Sequence, residues 1–130
     1  MSNQPETPIY TYSRKRAIED GFQHALDGEH AQMARDLGYL HPVYLTIGVA
    51  SLIDRALASK LDHNDQDGVT WDILWMSRTV ARPLTPEASK FEVAIRYGGE
   101  QHIHEMIICC GPTDFDDPAP ALTIMLPEEW

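Results

Sequence analysis

The clearest hydrophobic pattern lies in the middle of the chain. From Leu45 to Leu61, apolar residues recur at steps of three and four and form one stripe, which is typical of an amphipathic helix. We expect this helix to begin at Val43 or Thr46, because Pro42 keeps the residue before it extended.

Three further helices are predicted from residues that can cap their first turns. They are expected over 14–20 after Ser13, over 28–37 after Asp27 and over 71–81 after Thr70. A short strand is expected between the first two, in the segment "FQHALD".

The last third of the chain changes to a period of two. In "KFEVAIRY", 90–97, apolar and polar residues alternate, which predicts a half-buried strand. "HIHEMIICC", 102–110, and "ALTIMLP", 121–127, predict two more strands, and the proline-rich segment 111–120 is predicted to be a loop. The expected fold class is α+β, with a three- to four-stranded antiparallel sheet in the C-terminal half packed against three to four helices.

Length and composition fit one globular domain. The chain has 130 residues, of which 43% are hydrophobic and 23% charged, a balance typical of such domains. We expect a flexible arm over 1–8 and a single α+β domain over 9–130. No membrane-spanning run or signal-peptide pattern is present, so a cytoplasmic location is expected. The adjacent Cys109 and Cys110 are expected to be buried thiols in a reducing compartment.

The charge is strongly negative and unevenly placed. The formal net charge is −10, and residues 97–130 contain seven acids with no Lys or Arg. This balance argues against direct nucleic-acid binding, which depends on many Lys and Arg contacts to phosphate. It favours electrostatic steering toward a protein with a basic surface.

The stretch "DHNDQDGVTWDILW", 62–75, has the acids of a calcium loop without its pattern. With Gly68 at the sixth position of an EF-hand loop, His63 takes the first position and Leu74 the twelfth, where a glutamate is required. The stretch is therefore predicted to connect two helices, with its acids and Gly68 forming the turn.

The tryptophans allow two interpretations. Trp71 and Trp75 are four residues apart and share a helix face. Core packing against the sheet is expected for this pair, and an exposed binding patch is the alternative. Trp130 is expected to be exposed and to form an acidic–aromatic tail with Glu128 and Glu129, since exposed aromatic residues are favoured binding anchors.

His102 and His104 are the candidates for a metal site. They lie two apart on a predicted strand, so their rings project from one face. A zinc site needs further ligands, and Cys110 on the same face is about 20 Å away along the strand. No catalytic or cofactor-binding motif occurs, so no metal and no cofactor are expected. A small hydrolase or transferase using these histidines and a carboxylate is the alternative.

Three segments resemble a known family. "IYTYSRKRAIEDG" (9–21), "WDILWM" (71–76) and "LTIMLPEE" (122–129) occur in this order. In these segments the chain resembles a family of small uncharacterised bacterial proteins carried on plasmids and phages. The resemblance implies a mobile-element setting and carries over no catalytic residue.

Together these observations predict a non-enzymatic acidic binding protein. We expect it to inhibit a host nucleic-acid-handling defence system, of the anti-CRISPR or anti-restriction type, by contact with a CRISPR effector or restriction enzyme. A plasmid-maintenance interaction factor is a further alternative, and an uncovered sheet face leaves room for a homodimer. The residues expected to bind the partner are Asp114, Asp116, Asp117, Glu128, Glu129 and Trp130, with Asp62, Asp65 and Asp67 as a second patch.

Overall fold

Helices dominate the first part of the chain and long strands the last, in a computed structural model that describes residues 12–130. The helices are α1 (Arg14–Glu19), α2 (Gly28–Asp36), α3 (Ile47–Ala58) and α4 (Gln66–Thr79). The strands are β1 (Gln23–Ala25), β2 (Val43–Thr46), β3 (Arg82–Pro83), β4 (Ala88–Tyr97), β5 (Glu100–Asp114) and β6 (Asp117–Met125), followed by a C-terminal turn, Pro127–Glu129. None of the helices in the described range is long and apolar enough to cross a membrane. The arm predicted over 1–8 lies outside the described residues.

The strands form one six-stranded mixed sheet in the order β1-β2-β6-β5-β4-β3. The α+β class is confirmed, and β4, β5 and β6 form the antiparallel strands predicted in the C-terminal half. The prediction understates the sheet, which has six strands and one parallel pair. β2 pairs with β6 in parallel, and the other neighbours are antiparallel. β2 was missed because its four residues join α3 directly, so its apolar side chains resemble the first turn of the helix.

The predicted loop over 111–120 is a tight hairpin. β5 continues to Asp114 and β6 begins at Asp117. Pro112 pairs with Pro120 across the two strands, and the register shifts between Pro112 and Asp114. Proline cannot donate to the ladder, so it is found in sheets at such irregular positions.

The ends of the helices show which caps were predicted correctly. Ser13 accepts a hydrogen bond from the backbone N–H of Arg16, so the predicted cap of α1 is confirmed. The predicted start of α4 is wrong, because Asp65 accepts from the backbone N–H of Gly68 and begins the helix at Gln66. Thr70 is buried inside that helix.

The main core lies between one face of the sheet and α3 and α4. Strand alternation places Leu45, Ile108 and Ile124 on this helix face. Side chains of α3 and α4 cover them. As predicted, Phe91, Val93 and Ile95 of β4 are also buried there. The opposite face, which carries Tyr44 and Thr123, is called the α1 face because α1 packs on it.

Candidate binding site on the α1 face

The turn of the β5–β6 hairpin holds the start of α1. The Asp114 carboxylate accepts hydrogen bonds from the backbone N–H groups of Arg14 at 3.2 Å and Lys15 at 2.9 Å. It also accepts from the N–H of Phe115 at 2.9 Å. These donors, with Lys15 foremost, lower the pKa of Asp114. Asp114 was predicted to bind a partner, and its carboxylate is occupied within the molecule.

Arg14 fastens the same helix to the α1 face. Its Nε donates to the carbonyl of Thr113 at 2.7 Å, and its Nη1 donates to Gln23 Oε1 at 2.9 Å and Thr123 Oγ1 at 3.0 Å. The guanidinium carbon lies 4.1 Å from the centre of the Tyr44 ring, a cation–π contact. Burial lowers the pKa of Arg14. Arg14 therefore serves the fold and is not an open basic site.

The tip of the hairpin presents an aromatic ring and two acids to solvent. The Phe115 side chain is 66% exposed, and Asp116 and Asp117 are exposed. Asp117 accepts a hydrogen bond from the N–H of Ala119 in its own turn at 3.0 Å. Asp116 forms no side-chain hydrogen bond with any residue in 12–130. Both carboxylates are accessible to a partner, unlike that of Asp114.

Glu129 fastens the C-terminal turn to the start of α3. Its carboxylate accepts from Thr46 Oγ1 at 2.6 Å, from the N–H of Gly48 at 3.0 Å and from the N–H of Leu126 at 2.8 Å. Because β2 and β6 run in parallel, the residues that follow them lie side by side. The unpaired N–H groups at the start of a helix favour a carboxylate.

Gly48 makes room for this carboxylate. A Cβ atom at Gly48 would stand 2.6 Å from one oxygen of Glu129, which is closer than unbonded atoms approach. The other two residues of the predicted tail point outward: Glu128 is exposed, and the Trp130 side chain is 58% exposed. The exposure predicted for Trp130 is confirmed.

A cavity of about 650 Å³ opens between α1 and the C-terminal turn, and we call it the α1 groove. Its wall is mostly apolar and includes Phe22 and Ile47, whose side chains are about half exposed. Glu128 and Trp130 form one rim. The residues that line it are Tyr12, Ala17, Phe22, Gln23, Thr46, Ile47, Thr123, Met125, Glu128, Glu129 and Trp130.

The groove was not predicted from the sequence. Its residues come from separate segments that become neighbours only when α1 and the tail pack on the sheet. The one local signal was Phe22, an aromatic residue placed directly after Gly21. Gly21 has φ +80° and follows the end of α1. Phe22 therefore cannot belong to the apolar side of that helix.

The acids of the second predicted patch also have hydrogen-bond partners within the molecule. Asp62 accepts from the hydroxyl of Ser59 at 2.7 Å, from the N–H of Gly99 at 2.9 Å and from Arg96 Nε at 3.3 Å. The Gly99 N–H contributes most to lowering the pKa of Asp62. The carboxylate thereby joins the end of α3 to the Gly98–Gly99 turn of the β4–β5 hairpin.

The other two acids of that patch lie at the start of α4. Asp65 caps the helix through the N–H of Gly68 at 2.7 Å. Asp67 lies 2.8 Å from His30 Nε2 on α2. The predicted helix–helix connection is confirmed for 62–65 only, because α4 begins at Gln66 and Gly68 lies in its first turn.

His102 and His104 share one face of β5, as predicted. Both rings stack on Tyr97, with ring centres 3.9 Å and 5.9 Å away. His104 Nε2 is hydrogen-bonded to the Tyr97 hydroxyl at 3.0 Å, and His102 Nε2 to the Tyr97 carbonyl at 3.2 Å. Burial lowers the pKa of His104, and the neighbouring His102 and Arg55 lower it further.

His104 also lines an open cleft of about 520 Å³ beside α3. Arg55 lines the same cleft, with its guanidinium carbon 5.5 Å from the centre of the Tyr97 ring. Glu105 and Glu128 supply carboxylates to the wall. Among residues 12–130, no three His, Cys, Asp or Glu side chains stand close enough to hold a metal ion.

The two cysteines are free thiols in different surroundings. Cys109 is half-buried, and burial raises the pKa of its thiol. Cys110 is exposed, so the expected burial of both thiols is wrong. It lies at the open end of the helix face, where it lines a surface pocket with Tyr39 and Ser77.

Trp71 and Trp75 lie on the outer side of α4, so the expected core packing is wrong. Their side chains are 39% and 46% exposed. The buried side of α4 instead includes Ser77, whose hydroxyl donates to the Leu74 carbonyl at 2.8 Å. A spacing of four residues places two side chains on one face but does not say which face is buried.

Comparison with known proteins adds no relative. No family model matches the chain, and neither a curated protein nor a solved structure shows significant similarity to it. The geometry and the charge are therefore the basis for the function proposed next.

Proposed function

We propose that this protein is a non-enzymatic acidic binding protein of a mobile element that inhibits a host nucleic-acid-handling defence system by protein–protein contact. The observation that carries this proposal is the α1 groove, a largely apolar cavity with Glu128 and exposed Trp130 on its rim. Protein interfaces combine a buried apolar centre, often aromatic, with a polar rim.

The charge indicates the kind of partner. At a net charge of −10, the molecule is attracted to basic surfaces, and steering of this kind raises association rates. CRISPR effectors and restriction enzymes hold nucleic acid in positively charged channels. An acidic protein that places Trp130 and an apolar groove against such a surface would compete with the nucleic acid.

The contact residues follow from which carboxylates are accessible. Asp114 and Glu129 are engaged by backbone donors, so replacing them would disturb the fold as well as any contact. Asp116, Asp117 and Glu128 are exposed and, with Trp130, form the proposed contact set. This set is smaller than the predicted one. It excludes the second patch because Asp62 and Asp67 have partners from other elements and Asp65 caps α4, so replacing them would also disturb the fold.

The test is phage plating on a host with an active CRISPR or restriction system that expresses the protein. We expect the wild type to restore plaque formation and the Asp116→Lys/Asp117→Lys and Glu128→Lys variants to lose this effect. Asp54→Lys is the matched control, because Asp54 is an exposed acid on α3, away from the α1 groove. Full inhibition by the hairpin and tail variants would contradict the proposed contact set.

A second candidate function is a small histidine-dependent enzyme. The observation that favours it is the cleft in which His104, hydrogen-bonded to Tyr97, lies near Arg55. A neutral imidazole with a lowered pKa can act as a general base. Turnover of a hydrolase substrate that is lost in both His104→Ala and Tyr97→Phe would support this function, and elemental analysis for zinc would test a metal-dependent version.

A plasmid-maintenance factor would use the same acidic surface against another protein. Affinity capture with the wild type and the Asp116→Lys/Asp117→Lys variant, followed by mass spectrometry, separates the two roles. A defence nuclease captured only by the wild type supports inhibition of defence. A replication or partition protein captured in its place supports maintenance.

A further inference from the structure

The outer side of α4 carries an exposed stacked pair of tryptophans. The ring centres of Trp71 and Trp75 are 6.1 Å apart and the ring planes differ by 16°. The two residues are 39% and 46% exposed to solvent. Large aromatic surface left in water is unfavourable, and tryptophan is strongly enriched among residues that dominate binding energy.

Three arginines of the chain stack on tyrosine rings and not on the tryptophans of α4. Arg14 lies over Tyr44, Arg55 over Tyr97 and Arg78 over Tyr39. Within residues 12–130, no Lys or Arg lies over either tryptophan of α4. The outer ring faces therefore have no cation from the described part of the chain, although tryptophan is the best aromatic partner for one.

A carboxylate stands beside the pair. Asp72 precedes Trp75 by three residues, a spacing that makes these two side chains neighbours on the helix surface. It forms no ion pair or side-chain hydrogen bond with the residues described. Partial burial raises the pKa of Asp72, and no ion pair or hydrogen bond offsets this effect.

We propose that Trp71, Trp75 and Asp72 form a docking site for an arginine side chain of a partner protein. A guanidinium can stack on an indole face while it donates two parallel hydrogen bonds to one carboxylate. A lysine ammonium is a strongly hydrated point charge and gains less from this combination. The net charge of −10 favours an arginine-bearing partner over an acidic one.

This site is separate from the α1 groove. α4 covers the helix face of the sheet, and the groove lies on the opposite face. The protein would then hold two contacts at once, one on each side of the sheet. The arginine site does not depend on the identity of the partner that the groove takes.

The test measures the binding of the full chain to fluorescently labelled octa-arginine and octa-lysine peptides by anisotropy. Equal peptide charge cancels the general attraction to an acidic protein, so the part of the affinity ratio that is lost when Trp71 and Trp75 are replaced reports the stacking site. We expect the wild type to bind octa-arginine about tenfold more tightly than octa-lysine. The Trp71→Ala/Trp75→Ala variant should bring the ratio close to one, and Asp72→Asn should lower it about threefold.

Two matched variants control for the loss of an exposed ring and of a charge. Phe115→Ala removes an exposed aromatic ring from the β5–β6 hairpin, and Asp54→Asn removes an exposed acid from α3; both should keep the wild-type ratio. If the double alanine variant does not fold, Trp75→Phe should still lower the ratio, because phenylalanine binds cations less strongly than tryptophan.

Equal affinity of the wild type for the two peptides would overturn the proposal. So would a tenfold preference that persists in a folded Trp71→Ala/Trp75→Ala variant. Either result would leave the plating test of Asp116, Asp117 and Glu128 unaffected, since those residues lie outside α4.

Discussion

The two acidic stretches of this chain have similar composition and different roles. In 62–67, Asp62, Asp65 and Asp67 all have partners within the molecule. In 114–130, only Asp114 and Glu129 have partners from other elements. Asp117 accepts a hydrogen bond only within its own turn, and Asp116 and Glu128 are exposed. Exposure alone does not separate the two stretches, because Asp65 and Asp67 are exposed as well; the difference is that every acid of 62–67 either caps a helix or bonds to another element.

The difference has a simple physical origin. The acids of 62–67 lie at helix ends and turns, where backbone N–H groups need acceptors. Asp114 and Glu129 meet the same need at the starts of α1 and α3, although they lie far from those helices in sequence. The hairpin tip and Glu128 offer their carboxylates no such donor from another element. Variants that change one of these two groups of acids at a time test the difference.

Glu129→Ala should cause the largest loss of stability. The change removes the acceptor of the Thr46 hydroxyl and of the Gly48 and Leu126 N–H groups, and we expect the free energy of unfolding to fall by about 2 kcal/mol. Urea denaturation followed by tryptophan fluorescence measures this. Its neighbour Glu128 is the control: Glu128→Ala should change stability by less than about 0.5 kcal/mol. Equal losses of unfolding free energy in the two variants would contradict the distinction between acids that are hydrogen-bonded within the molecule and acids that are accessible to a partner.

Asp114→Ala should lower Tm by several degrees and loosen α1. The change leaves the N–H groups of Arg14 and Lys15 without their acceptor, so their amide hydrogen exchange should speed up. Asp116→Ala removes an acid two residues away and should change neither Tm nor exchange in α1. Unchanged exchange in the Asp114 variant would show that the hairpin does not hold the helix.

Gly48→Ala should show opposite effects in two backgrounds. In the wild type the new methyl group displaces the Glu129 carboxylate, and we expect a loss of up to about 1 kcal/mol. In the Glu129→Ala background the carboxylate is absent, so the same change should stabilise the protein through helix propensity, by less than the roughly 1 kcal/mol of a helix interior because Gly48 is the second residue of α3. A double-mutant cycle by urea denaturation measures the coupling. Additive effects would contradict the close approach of the two residues.

The smallest effect concerns acid stability. The pKa of Asp62 is lower in the folded protein than in the unfolded chain. Its contribution to stability is therefore complete above about pH 4, the unfolded value, and is lost as the pH falls through the lower folded value. We expect the stability difference between the wild type and Asp62→Asn to be constant from pH 5 to 7 and to shrink below about pH 4. A stability difference between the wild type and Asp62→Asn that grows toward low pH would contradict the lowered pKa of Asp62.

The patterns that are local in sequence predicted much of the fold. The helical stripe after Pro42, the Ser13 cap and the alternation in 90–97 correctly indicated α3, α1 and β4. Each of these depends on residues within a few positions of one another. The predicted sharing of one face by His102 and His104 is correct for the same reason.

The sequence by itself determined the α+β class, the acidity and the positions of most elements, because periodicity, caps and composition are properties of neighbouring residues. The tertiary structure alone decided the pairing of β2 with β6 and the hydrogen bonds that Asp114 and Glu129 accept within the molecule. It also decided that Trp71 and Trp75 face outward. These features depend on contacts between segments far apart in the chain. Which segments meet depends on how the strands pair and how the helices pack on the sheet, and no pattern within a single segment determines it.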